Sequence, residues 1–245
     1  MRIAIAGKGG TGKTTFAALL INVFREKGPR PVLVVDADPN SNLHVLLGIK
    51  YEKTIADIRE DVKNEQPPAG MSRPQYFALQ VEESIIEKDS MDFIAIGHPE
   101  GRECYCSVNH ILRDFLEKMS RRYPVEVIDN EAGMEHMSRQ TDGKVDWLIF
   151  VANKDKVSLS SVKNSLELLG KLKVKAANTG LVLNKTEKIP AFANELGVEI
   201  LGVIPPDEKI EKAAEKGEVL KKVSSQTDEI IDGIVATLRR MKDER

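Results

Sequence analysis

The chain has 245 residues, and 36 Lys plus Arg against 38 Asp plus Glu leave a formal net charge of −2, which argues against a nucleic-acid binder carried by bulk positive charge. Hydrophobic residues make up 41% and charged residues 30%, the composition of a folded globule, and 17 Gly with 11 Pro exclude a collagenous or low-complexity chain. The longest apolar runs, such as Trp147 to Ala152, fall far short of the roughly 18 residues of a membrane span, Ile3 to Ala6 is too short for a signal core, and two cysteines without an export signal predict a cytoplasmic chain with reduced thiols.

In chain order, Arg2 to Ala6 reads as a buried strand, Lys13 to Lys27 as a helix and Pro31 to Val35 as a second strand. The stretch from Val62 to Gln75, with Pro67, Pro68, Gly70 and Pro74, reads as a long surface loop inside the domain. Strands are predicted at Phe77 to Val81, Asp92 to Ile96, Val125 to Ile128, Trp147 to Ala152, Ala177 to Leu183 and Glu199 to Ile204. Helices are predicted at Ser107 to Arg122, Leu159 to Lys171 and Ile189 to Leu196. Strands alternating with helices predict an α/β fold, a doubly wound and mostly parallel sheet with helices on both faces, in one domain spanning residues 1–245. The last helix carries Ile230, Ile231, Ile234, Val235, Leu238 and Met241 on one face and mixed charges on the other. That pattern predicts packing on the domain and not membrane targeting.

Gly7-Lys8-Gly9-Gly10-Thr11-Gly12-Lys13-Thr14 matches G-x-x-x-x-G-K-[ST] between a strand and a helix. Glycines turn backbone N–H groups toward phosphate oxygens, and the helix starting near Lys13 aims its positive end at the same anion. Gly9, Gly10, Thr11, Gly12, Lys13, Thr14 and Thr15 are therefore the candidate nucleotide-binding residues. Lys13 is assigned to the β- and γ-phosphates and the Thr14 hydroxyl to Mg²⁺. Gly7, Gly9 and Gly12 also fit the dinucleotide pattern G-x-G-x-x-G, with Asp36 as its acid. Lys13-Thr14 decides against that alternative, because phosphoryl transfer needs both groups and a dinucleotide turn needs neither.

Lys8, a second lysine at the front of this loop, marks a deviant Walker A, and with it the chain resembles the MinD/ParA-like ATPases, which include nitrogenase iron protein. The resemblance implies an ATP-dependent homodimer in which Lys8 crosses to the partner's nucleotide. It also matches Asp36-Ala37-Asp38-Pro39 to the family's first switch, with Asp38 handling the attacking water and Asp36 the Mg²⁺ shell. Val125-Glu126-Val127-Ile128-Asp129 is a Walker B run that puts Asp129 on the same Mg²⁺ shell. Asn130-Glu131-Ala132-Gly133 looks like the second switch. Asn184-Lys185-Thr186-Glu187 resembles the N-K-x-D of GTPases, but Glu187 stands where aspartate is needed to grip guanine, so adenine is preferred and Asn184 is assigned to the base edge. Pro205-Pro206 falls where the family's adenine-flanking loop lies.

Cys104-Tyr105-Cys106 supplies two thiolates just before a helical pattern, beside Arg102. Two ligands are too few for Zn²⁺ or square-planar Ni²⁺, and a symmetric dimer would supply two more thiolates. His98 and His110 lie near the cysteines in sequence, each either a third ligand or a surface or satisfied histidine, and His136, after the second switch, reads as a packing or capping residue. The cysteine pair, taken with Gly7 to Thr15, Asp36 to Pro39 and Glu131-Ala132-Gly133-Met134-Glu135-His136, is similar to the CooC-type ATPases, which insert nickel into carbon monoxide dehydrogenase. The resemblance implies ATP and Mg²⁺ as cofactors, Ni²⁺ or Zn²⁺ bridging the dimer on Cys104 and Cys106, and an apo-metalloenzyme client such as carbon monoxide dehydrogenase, with no nucleic-acid partner and no stable membrane insertion. A buried turn or a redox pair at the cysteines, an iron–sulfur cluster scaffold, and a membrane- or DNA-bound positioning ATPase stay open as alternatives.

Overall fold

The computed structural model describes residues 1–40, 42–97, 116–131, 144–169 and 175–243. Eight strands form one sheet: β1 (Arg2–Ala6), β2 (Val32–Ala37), β3 (Ile86–Lys88), β4 (Met91–Ala95), β5 (Val125–Asn130), β6 (Lys144–Ala152), β7 (Lys175–Leu183) and β8 (Glu199–Val203). Their order across the sheet is β3-β4-β2-β5-β1-β6-β7-β8. All pairings are parallel except that of β3, which runs antiparallel to β4 at one edge. β2 and β5 are buried at every position. They read as continuous apolar runs because helices cover both faces, so no face is left for alternating polar residues.

Side-chain alternation divides each strand between two cores. Ile3, Ile5, Val32 and Val34 face one core with Phe16, Phe24 and Trp147. Ala4 and Ala6 face a second core on the other side, and Leu33 and Val35 face a third. The first core is closed by α1 (Lys13–Lys27), α2 (Leu43–Leu47) and the last helix, α8 (Ser225–Asp243). Ile231, Ile234, Val235 and Leu238 of α8 are buried there, so its apolar face packs on the domain as the sequence predicts. The opposite face carries α3 (Ile55–Asn64), α4 (Arg73–Glu83), α5 (Lys156–Leu169) and α6 (Ala191–Asn194). α7 (Glu208–Lys216) links β8 to α8.

The segment Phe77 to Val81, predicted as a strand, lies inside α4. Ser72 and Gln75 form a reciprocal capping box, Pro74 occupies the first turn, and Phe77 and Val81, four apart, are both buried. Local capping and a helical spacing of the apolar pair outweigh the β propensity of the run. The long loop predicted over Val62 to Gln75 is correspondingly shorter, since α3 runs to Asn64 and α4 begins at Arg73. α3 itself starts on a capping box between Thr54 and Asp57. Of the helix predicted from Ser107 to Arg122, residues 116–120 are described and helical. The remaining predicted elements sit within a few residues of the observed ones.

Asp207 fastens the C-terminal segment. One carboxylate oxygen caps α7 by accepting from Lys209 N–H, and the other accepts from Ser224 N–H at 2.8 Å and the Thr227 hydroxyl at 2.7 Å. Burial works to raise its pKa, but these bonds to the ionised form hold it down at about 2, against an ordinary 3.8. The folded pKa lies below the unfolded one. The stabilisation is therefore present above about pH 4 and is lost as pH falls through about 2. Asp207→Ala should cost about 2–4 kcal/mol near neutral pH. The gap between parent and variant melting temperatures should close on acidification across that window.

Candidate functional site

The chain runs from β1 to β2 and β4 on one side, returns to insert β5 beside β1, and then crosses to β6 on the other side. This reversal of strand order around β1 opens a crevice at the C-terminal strand ends, where ligands of doubly wound sheets bind. The loop 7–12, Asp36, Asp129, Asn153 and Asn184 all lie at those ends.

The loop closes on itself through one carbonyl. Lys8 C=O accepts from the Thr11 hydroxyl at 2.8 Å, from Thr11 N–H at 3.4 Å and from the Lys13 ammonium at 3.5 Å. Lys13 is buried, whereas the Lys8 side chain is exposed. Gly7 sits at φ +148°, and a Cβ there would lie 2.3 Å from the Val151 carbonyl oxygen, so β1 leaves the sheet in contact with β6. Gly12 sits at φ +89° and leads straight into α1. α1 has no side-chain cap and no acidic residue in its first turn. Its free N–H groups and positive end are thus left for an anion.

Asp36 and Asp129 end neighbouring strands and face each other in register. Both are fully buried. Asp36 accepts from the N–H groups of Asp38 (3.3 Å) and Leu43 (3.2 Å). Among the described residues neither carboxylate oxygen of Asp129 has a hydrogen-bond partner within 3.5 Å. Burial, then the Asp129 charge, push Asp36 up to about 8 against those two N–H groups. Burial pushes Asp129 up to about 7, with the Thr14 hydroxyl and the Lys13 ammonium pulling the other way and Asp38 adding to the rise. Two buried, adjacent and undercompensated carboxylates fit a divalent cation, which would favour both ionised forms. Among the described residues no cluster of three or more His, Cys, Asp or Glu could hold a metal ion. Mg²⁺ takes one or two carboxylates and completes its shell with phosphate oxygens and water.

Asp38 is half-buried at the end of the same turn, and one of its oxygens accepts from Asn40 N–H (2.9 Å) and the Asn40 side-chain amide (3.0 Å). Asn184, assigned from sequence to the base edge, is buried and donates to the Thr11 carbonyl at 2.8 Å. The nearby open pocket of about 430 Å³ is lined by Lys154, Lys185, Thr186, Glu187, Lys188, Pro190 and Pro206. Pro206 is exposed to it while Pro205 is buried. Sequence reasoning omitted Lys154, Lys188 and Pro190. The end of β6 pointed to Lys154, since strand ends beside the central strand border the crevice. Cys104 and Cys106, with Arg102, His98, His110, His136 and Ala132 to Gly133, lie outside the described residues.

The profile of the CobQ/CobB/MinD/ParA nucleotide-binding domain matches residues 3–220. The chain belongs to this family. It is an ATPase of the P-loop type. The ATPase is 39% identical to an uncharacterized ATP-binding protein of Methanocaldococcus jannaschii, across 95% of this chain and 99% of that one. It is 26% identical to the carbon monoxide dehydrogenase accessory protein CooC of Rhodospirillum rubrum, across 89% and 88%. Among solved structures, the cell division ATPase MinD of Pyrococcus furiosus superposes with a TM-score of 0.72 at 22% identity, over 98% of each chain. That likeness concerns the fold alone. No helix among the described residues is long and apolar enough to cross a membrane.

Proposed function

We propose that this ATPase is a Mg²⁺-ATP-driven dimeric switch that carries a metal ion, most simply Ni²⁺, on Cys104 and Cys106 and releases it to an apo-metalloenzyme such as carbon monoxide dehydrogenase. The observation that carries the switch is the orphaned Asp129 carboxylate, buried in register with Asp36 beneath the phosphate loop. Bound Mg²⁺ supplies neutralisation of the β- and γ-phosphate charge. The residues do the rest. Backbone N–H groups of Gly9 to Thr15 and the Lys13 ammonium hold the triphosphate. The Thr14 hydroxyl, Asp36 and Asp129 hold the cation's shell. Asp38 orients the attacking water, its carboxylate held in place by the contacts with Asn40. Lys8, exposed on the rim, reaches the nucleotide of a second chain and ties hydrolysis to dimerisation. The second switch, beginning at Asn130-Glu131, follows directly on Asp129 and so passes the state of the γ-phosphate to the segment beyond it.

The cargo reading is supported by Cys104-Tyr105-Cys106 and by the likeness to the Rhodospirillum rubrum accessory protein. Thiolates are soft ligands that take Ni²⁺ and Zn²⁺, and two chains together offer four. Native mass spectrometry of the reduced protein with limiting Ni²⁺ tests it. One metal per two chains, lost in the double Cys104→Ser, Cys106→Ser variant while ATP hydrolysis persists, is the expected outcome. Metal binding undiminished in the variant would reject the site. A visible absorption band after anaerobic reconstitution with iron and sulfide would instead favour a cluster carrier, and stimulation of hydrolysis by liposomes or DNA a positioning ATPase.

A further inference from the structure

We infer that Asn184 is a positioning residue for the triphosphate rather than a reader of the base. Three contacts fix it. Its backbone N–H donates to the Ala152 carbonyl at 2.8 Å, continuing the ladder between β6 and β7. Its side-chain Oδ1 accepts from Lys185 N–H at 3.0 Å. With those ends held, Nδ2 donates to the Thr11 carbonyl at 2.8 Å in a buried contact between residues 173 positions apart. Nδ2 also occupies the space beside Gly12, lying 2.3 Å from where a Cβ on that residue would be.

The consequence lies in the peptide plane. The Thr11 carbonyl and the Gly12 N–H belong to one rigid trans unit and point in opposite directions. Holding the carbonyl toward β7 turns the Gly12 N–H the other way, into the cradle in front of α1. Thr11 has no slack, since it is 1% exposed and both its N–H and its hydroxyl are bound to the Lys8 carbonyl. Gly10 at φ +80° and Gly12 at φ +89° give this stretch freedom to flip. Asn184 removes that freedom before any ligand arrives, which lowers the ordering cost of binding. A side chain at position 12 would meet the asparagine amide, and φ +89° itself favours glycine there.

The inference rests on the loop being the phosphate cradle, and a ligand without a base separates the two roles. Mg²⁺-ATP and Mg²⁺-tripolyphosphate would be titrated calorimetrically into the parent, Asn184→Asp and Asn184→Ala. Asn184→Asp keeps the acceptor for Lys185 N–H and removes the donor to Thr11. A buried donor of this kind is worth about tenfold in affinity. Both variants should lose about that factor for ATP and the same factor for tripolyphosphate, and kcat should fall with it. Misfolded molecules lower the stoichiometry and not the fitted affinity, so a partial folding defect does not imitate the result. A loss larger for ATP than for tripolyphosphate, or no loss for either, would overturn the proposal.

Discussion

Asp129→Asn should lower Mg²⁺-dependent ATP hydrolysis by at least about 10²-fold and at the same time raise the melting temperature of the nucleotide-free protein. The two effects share a cause. Asp129 is buried, its oxygens have no hydrogen-bond partner within 3.5 Å among the described residues, and Asp36 stands across from it in register. Without a cation the fold holds a carboxyl whose ionised form is poorly solvated. Its pKa of about 7, and about 8 for Asp36, lie above the ordinary 3.8. For an acid shifted upward, the folded state binds the proton more tightly than the unfolded chain. Nucleotide-free stability therefore declines as pH climbs from about 4 toward 8 and levels off above the folded pKa values. The amide carries no charge to bury. A gain of about 1 kcal/mol corresponds to roughly 2–4 °C for a domain of this size. The variant's stability should vary less with pH over that range than the parent's. Calorimetric scans at several pH values, with and without Mg²⁺-ATP, check both halves. The parent should gain far more from the ligand than the variant, because ligand stabilisation follows differential affinity for the folded state. A variant less stable than the parent throughout would show that Asp129 is a structural residue.

Lys8→Ala should reduce turnover by as much as 10³–10⁵-fold, the range of a charge supplied in trans to a phosphoryl-transfer centre, while Mg²⁺-ATP binding to the single chain stays within about twofold of the parent. The structure gives the reason for the split. The backbone carbonyl of Lys8 gathers Thr11 and Lys13, and alanine retains it, whereas the exposed side chain makes no contribution to that network. Complementation decides whether the ammonium acts across a dimer. Asp38→Asn lacks the carboxylate proposed to orient the attacking water but keeps Lys8. Each variant alone should be nearly inactive. In an equal mixture about half the dimers are mixed, and in each of those one site has its own Asp38 and a partner's Lys8. About a quarter of parental activity should return, measured as phosphate release at saturating ATP. A mixture as inactive as its components would place Lys8 in its own chain's site and remove the need for a dimer in catalysis.

The phosphate loop was legible in the sequence because its chemistry is local. Gly7 to Thr14 requires only consecutive residues, a strand before it and a helix after it, and all three are present. Asp36 and Asp129 were legible for a related reason, since each ends an apolar run and strand ends border the crevice in this fold class. At Phe77 to Val81 the Ser72 and Gln75 capping box, which the sequence also displays, outweighs the β propensity of the run. What the sequence alone determined about this protein is therefore its architecture and its family, together with the residues proposed to grip phosphate. Periodicity and short-range motifs encode these within a dozen positions. Tertiary structure decided which polar groups meet. Only the strand order β2-β5-β1 sets Asp36 in register with Asp129, and only the placement of β7 beside β6 carries Asn184 to Thr11, 173 residues away. Such contacts depend on strand order and register, which are fixed by burial of the whole sheet between its helices and leave no mark in the spacing of neighbouring residues.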